Sequence, residues 1–142
     1  MTTLAADTVR AYETGNRNEF PVIASDIIYR GAAVGLVPAT GHARPLASGD
    51  YFVGFAEAKA DNSAGAAAAI RVRVLHEGKI QLSVTSAAIT DVGRAVYATD
   101  DDTFNFTATG VFIGFVHRYV SSGVAVVRFD ALALRDPGGG SP

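Results

Sequence analysis

Three histidines and one acidic run are the residues whose types could do chemistry. His42 lies in Thr40-Gly41-His42-Ala43-Arg44-Pro45, His76 follows a strand-like run, and His117 sits beside Arg118. A zinc site or a general base needs such a side chain with a second ligand or a carboxylate at a fixed spacing, as in H-E-x-x-H. None of the three has one, so each reads as an ordinary turn or surface histidine. Asp100-Asp101-Asp102 invites a cation. An EF-hand loop, however, alternates its ligands around a central Gly and ends in Glu. Adjacent strand residues also point to opposite faces. A solvated turn is the simpler reading. There is no Gly-x-Ser-x-Gly elbow, no phosphate loop, and no Gly-x-Gly-x-x-Gly entering a helix. The sequence thus reads as non-enzymatic, with no cofactor and no metal.

Composition narrows the classes further. The chain has 142 residues and no Cys, which excludes a disulfide scaffold, thiolate zinc and a Cys nucleophile. A formal charge of -2 with ten scattered Arg is not the footprint of a nucleic-acid binder. No apolar run approaches the roughly 20 residues of a membrane helix. The first residues lack the charged and apolar regions of a secretory signal. The expectation is a protein made and used without export. Apolar residues make up 49%, but 25 of them are Ala, leaving 16 Val and 8 Phe to lead the larger side chains. Hydrophobic gain follows area removed from water, so a partner or an oligomer is expected to help.

The elements that must position these residues read as β. Residues 1–25 are polar with isolated apolar side chains, and are expected to form an extended N-terminal arm. Residues 26–134 form the β-domain, and the Gly-rich residues 135–142 a disordered tail. Ile27-Ile28-Tyr29-Arg30, Ala33-Val34-Gly35-Leu36-Val37 and Tyr51-Phe52-Val53-Gly54-Phe55 favour strands. Ile70-Arg71-Val72-Arg73-Val74-Leu75 and Ile80-Gln81-Leu82-Ser83-Val84 alternate, and are expected to pair as a hairpin around residues 76–79. That hairpin would set Arg71 and Arg73 opposite Gln81 and Ser83 on a polar face. Ala95-Val96-Tyr97-Ala98 and Thr103-Phe104-Asn105-Phe106-Thr107 suggest a second hairpin; residues 111–116 and 123–129 suggest a third. Helix is confined to one or two short turns, one of them ended by Gly93 in a left-handed conformation.

The strongest internal signal is an echo. Gly31-Ala32-Ala33-Val34 matches Gly93-Arg94-Ala95-Val96 at an offset of 62. Phe52-Val53-Gly54-Phe55 matches Phe112-Ile113-Gly114-Phe115 at an offset of 60. A Gly inside a strand weakens it unless a bend or close approach needs it. Gly31, Gly54, Gly93 and Gly114 are therefore expected to be structural glycines of two similar β-units. Those units are expected to pack about an approximate two-fold axis, with Gly54 and Gly114 at barrel corners. The fold class is all-β, a small β-barrel or β-tulip-like domain.

The succession Ile28-Tyr29-Arg30-Gly31-Ala32-Ala33-Val34, Phe52-Val53-Gly54-Phe55-Ala56, Asp61-Asn62-Ser63-Ala64-Gly65, Asp91-Val92-Gly93-Arg94-Ala95-Val96-Tyr97-Ala98 and Phe112-Ile113-Gly114-Phe115-Val116 resembles the capsid cement, or head decoration, proteins of tailed bacteriophages. The resemblance covers roughly residues 20–134. It implies a β-tulip-like homotrimer made in the host cytoplasm and bound to the outer capsid surface of the virion. Its partner would be the major capsid protein, and its role to hold the expanded head against internal DNA pressure. It implies no catalysis, no direct nucleic-acid contact and no membrane. In that family the arm commonly orders on the capsid, which points to Val9, Tyr12, Phe20 and Val22 as contacts; strand addition works in that way. Two other readings stand beside it: a tail- or fibre-associated β-domain, and a non-catalytic ligand-binding β-module.

Overall fold

The computed structural model describes residues 5–7, 9–11 and 13–131. The chain is all-β, with a short 3-10 turn at Ile89–Asp91. The first half holds β1 (Arg17–Pro21), β2 (Asp26–Ile28), β3 (Ala33–Leu36), β4 (Ala43–Pro45), β5 (Tyr51–Ala56), β6 (Ala60–Asn62) and β7 (Arg71–Leu75). The second holds β8 (Glu77–Ser83), β9 (Ala95–Ala98), β10 (Phe104–Asn105), β11 (Val111–Ser121) and β12 (Val124–Asp130). Two five-stranded sheets run in the orders β1-β7-β5-β3-β4 and β8-β12-β11-β9-β10, and β2 pairs with β6 alone. Each sheet curls into a half-barrel. A single parallel bridge spans its open side, Val22 to Ala43 in one and Val84 to Phe104 in the other.

The echo is a structural duplication. In the first sheet Ala33, Val34, Gly35 and Leu36 pair with Phe55, Gly54, Phe52 and Tyr51. In the second, Ala95, Val96, Tyr97 and Ala98 pair with Phe115, Gly114, Phe112 and Val111. Each register skips one residue, Val53 in β5 and Ile113 in β11. These are matching β-bulges, which bend a strand and increase its twist. The next strands agree too: Phe55 and Ala56 face Leu75 and Val74, while Phe115 and Val116 face Arg128 and Val127. Loop hydrogen bonds repeat as well. Gly31 and Gly93 donate their N–H groups to Ala56 and Val116 carbonyls at 2.9 and 2.8 Å. Both take a positive φ, +89° and +90°, in open surroundings.

Gly54 and Gly114 are needed for close approach just after the bulges. A Cβ on Gly54 would run into the Leu75 carbonyl, and one on Gly114 into the Arg128 carbonyl. Leu75 and Arg128 are themselves equivalent in register, so both glycines answer one backbone demand.

Three expectations are corrected. First, β7 and β8 do not form a hairpin. Only His76 separates them, and folding back takes about two loop residues. The chain instead crosses from one sheet to the other, so β7 pairs with β1 and β8 with β12. Arg71 and Arg73 therefore face Pro21 and Glu19 rather than Gln81 and Ser83. Second, the polar segment does not stay apart from the domain up to residue 25. Its β1 portion is hydrogen-bonded to β7 along Arg17–Pro21. Third, the two units are not related by a two-fold axis. A two-fold contact would give equivalent residues equivalent burial, yet Phe55 is 1% exposed and Phe115 50%.

Each half-barrel has its own filling. Val22, Val34, Val53, Val72 and Val74 pack in the first; Val84, Val96, Ile113, Ala125 and Val127 pack in the second. The outer surface of the first half-barrel, with Ala33, Phe52, Phe55 and Leu75, is then seated on the second unit. The Phe55 ring lies 4.9 Å from Phe129 and 6.0 Å from Phe104, and Phe52 lies 6.2 Å from Phe129. The Ala33 N–H donates to the Asp101 carbonyl at 3.0 Å.

Candidate functional site

The corresponding outer surface of the second unit is open. Tyr97, Phe112 and Phe115 form an aromatic run on β9 and β11, with ring centroids 5.7 and 5.3 Å apart and edge-to-face geometry. Such pairs favour this arrangement because the ring faces are negative and the edges positive. The bulge at Ile113 puts Phe112 and Phe115 on one face; at an unbulged spacing of three they would point opposite ways. Beside them is a groove of about 220 Å³ lined by Phe112, Gly114, Phe115, Arg128, Phe129 and Asp130. Aromatic surface with charged side chains at its border is the makeup of a recognition surface.

A second groove, of about 320 Å³, is polar and lies along β1 and β7. Glu13, Arg17, Asn18, Glu19, Arg71 and Arg73 line it. Its charges are largely matched. Arg17 Nε donates to Glu57 Oε2 at 2.7 Å, and Arg73 lies 3.7 Å from Glu19 and 4.0 Å from Glu57. Exposed pairs of this kind contribute about 0–1 kcal/mol each. The groove therefore carries little net charge with which to attract an anion.

The arm residues named from sequence fall in different places. Val9 is 99% exposed, as a docking arm requires. Tyr12 lies outside the described residues. Phe20 is half-buried in β1 against the first core, and Val22 is fully buried and bridged to Ala43. Phe20 and Val22 are core residues, because β1 supplies the edge that closes the first half-barrel. The tail, residues 135–142, also lies outside the described residues.

The chemistry-bearing side chains do not converge. His42 and His76 are half-buried and His117 is exposed, each on a different segment. Among the described residues no three His, Asp or Glu side chains group to hold a metal ion. The acidic run is a turn: the Asp102 N–H donates to Asp100 Oδ1 at 2.9 Å. Hydrogen bonds from Asp102 and Thr103 hold the Asp100 carboxyl below its usual range. Burial, then the charges of Asp100 and Asp102, push Asp101 up. Asp101 faces the unit junction, where its carbonyl accepts from Ala33. Among the described residues no helix is long and apolar enough to cross a membrane.

One buried ion pair is structural. Asp50, 6% exposed, accepts from Arg44 Nε at 2.9 Å, from Arg44 Nη2 at 2.7 Å and from the Ala47 N–H at 3.1 Å. It sits against Gly35, where a Cβ would meet both Asp50 and Leu46 at 2.7 Å. At the equivalent position across β9 stands Tyr97, so the two units fill this place differently.

The aromatic run was not singled out from sequence. Phe112 and Phe115 read from sequence only as strand formers, because the pattern Phe-x-Gly-Phe is the same in the covered and the uncovered unit. Neither the known family models nor the curated proteins give a match to this chain.

Proposed function

We propose that this chain is a structural virion protein, a head decoration protein that binds the outer surface of a tailed-phage capsid. It acts as a homotrimer, makes its contacts with the major capsid protein, and works without catalysis or a cofactor. One observation carries the reading. Four of the five motif segments behind the resemblance contain the strands β3, β5, β9 and β11, which pair in equivalent registers in the two half-barrels, bulge for bulge.

Two further features support it. The segment before β1 includes the fully exposed Val9, and an arm of that kind can add main-chain hydrogen bonds to a neighbouring sheet. Ordering it costs about 1–2 kcal/mol per residue in backbone entropy. Three arms on one trimer would offset this through effective concentration.

Co-sedimentation tests the reading. Purified protein is mixed with expanded, undecorated heads and pelleted. Saturable binding near one trimer per three-fold position supports it; protein that stays in the supernatant across the concentration range refutes it. A ligand-binding module is the second reading, favoured by the aromatic groove beside Phe115. A saturable small-ligand hit abolished by Phe112→Ala would select it instead.

A further inference from the structure

We propose that the outer face of the second unit is a docking site for an acidic segment of a partner protein. The segment lays an apolar side chain on Phe112 and Phe115 and sets a carboxylate between Lys79 and Arg128. The site stands on the duplication and does not rest on the decoration reading.

Register places the site. Phe115 on β11 faces Arg128 on β12, which in turn faces Lys79 on β8. Residues directly opposite each other share one face of a sheet. Ring, guanidinium and ammonium therefore form one row across three strands, and all three side chains are exposed. The groove of about 220 Å³ lies beside Phe112 and Phe115, and a second of about 260 Å³ beside Lys79 and Asn16. Both have Arg128, Phe129 and Asp130 in their walls, so they lie side by side as one trough.

The first unit shows what this row lacks. Its equivalent row is Phe55, Leu75 and Arg17. Leu75 stands in the place of Arg128, and packs with Phe55 against the second unit. Arg17 stands in the place of Lys79, and Glu57 meets its charge at 2.7 Å. Glu57 follows Ala56, but the equivalent Val116 is followed by His117 and Arg118. The second unit thus carries an extra cation in the row and lacks the carboxylate that answers the first. Neither Lys79 nor Arg128 has an ion pair among the described residues. Like charges directly opposite on neighbouring strands are destabilising. A carboxylate brought from outside does for this row what Glu57 does for the other.

The ring sets the other half of the occupant. Phe55 is covered by Phe104 and Phe129, whereas Phe115 is 50% exposed beside a cation. Its cover must therefore pair an apolar group with an acid. Aromatic and Arg side chains are also the ones that most often dominate binding at interfaces. Charges along the trough orient the segment. Glu77 and Asp130, the next facing pair on β8 and β12, repel an acid placed over them. On the opposite side Arg118 faces Val126, two residues from Arg128, and draws the acid that way.

A titration read by NMR on isotope-labelled protein at low salt is the test. The probe is a short capped peptide with a phenylalanine beside two glutamates. Saturable shifts centred on Phe115, Arg128 and Lys79 are expected. The same peptide with glutamines in place of the glutamates should bind about fivefold more weakly, and added salt should erase the difference. Arg128→Gln and Lys79→Glu, at exposed positions that spare the fold, should each weaken the glutamate peptide by a similar factor. Arg71→Gln, on the first sheet, should leave it unchanged. No saturable shift on this face up to millimolar peptide, equal binding of the two peptides, or an equal loss in Arg71→Gln would overturn the proposal. Equal shifts with sodium acetate alone would overturn it too, since they would mark an anion site with no peptide partner. Head binding is read separately, so either idea can fail alone.

Discussion

Phe55 and Phe115 hold the same register position in two copies of one five-stranded unit, yet one ring is buried and the other half in water. The duplication sets the strands, and the packing between copies decides what each aromatic does. Phe55→Ala is expected to cost about 3–5 kcal/mol of stability, the range for emptying an aromatic core site. Phe115→Ala should cost under about 1 kcal/mol in the monomer. Urea titrations at low protein concentration check both values, and equal losses would contradict the packing described.

The matched glycines give a second prediction. Gly54→Ala and Gly114→Ala each drive a methyl into a neighbouring carbonyl, and Gly54 also holds a φ of +132°. Each is expected to lose about 2–3 kcal/mol or more. Gly31→Ala meets no neighbour and carries only left-handed strain, so its loss should be about 1–2 kcal/mol. Thermal melts of the three variants should rank in that order.

Arg44 and Asp50 give a third. Arg44→Ala leaves a buried carboxylate with the Ala47 N–H as its remaining partner among the hydrogen bonds described here. The expected loss is about 3 kcal/mol, since breaking a buried pair costs more than removing both charges. The double variant Arg44→Leu with Asp50→Leu should recover part of it, as a double-mutant cycle would show.

Asp101 gives a pH-dependent prediction. Its carboxyl is raised by burial and by its acidic neighbours. A raised folded-state value means that the ionised form destabilises the fold at neutral pH. Stability tied to the protonated form is present below the ordinary carboxylate range and is lost as pH rises through the raised value. Asp101→Asn should therefore melt at a higher temperature than the native chain at pH 7. The gain should vanish towards about pH 3, where both side chains are neutral. A gain that does not change with pH would contradict this assignment.

Deleting residues 1–13 should leave the melting temperature within a few degrees, because among the described residues no strand begins before Arg17. Deleting through Val22 removes β1 and the bridge to Ala43. The first half-barrel should then lose its cooperative unfolding transition, read by circular dichroism.

Much of the framework was legible because local backbone demands leave local marks. Gly54 and Gly114 betrayed the bulged strands, Gly31 and Gly93 their entry turns, and residues 111–116 and 124–129 their hairpin. Pairing partners were not legible. The alternation from Arg71 to Leu75 tells which face is buried, not which strand lies alongside, so the crossover at His76 was missed. The three-residue strands β4 and β6 are too short for a period to show. The burial of Val22 depends on Ala43, more than twenty residues away. The exposed aromatic run was hidden for a similar reason, since whether a face is covered depends on the other unit.

The most direct measurement of the decoration reading is a cryo-electron microscopy map of expanded heads incubated with the protein. The account predicts density for paired half-barrels clustered at the three-fold positions of the outer surface, with the segment before Arg17 running onto the capsid. Bare heads at saturating protein, or density confined to a tail or fibre, would contradict it.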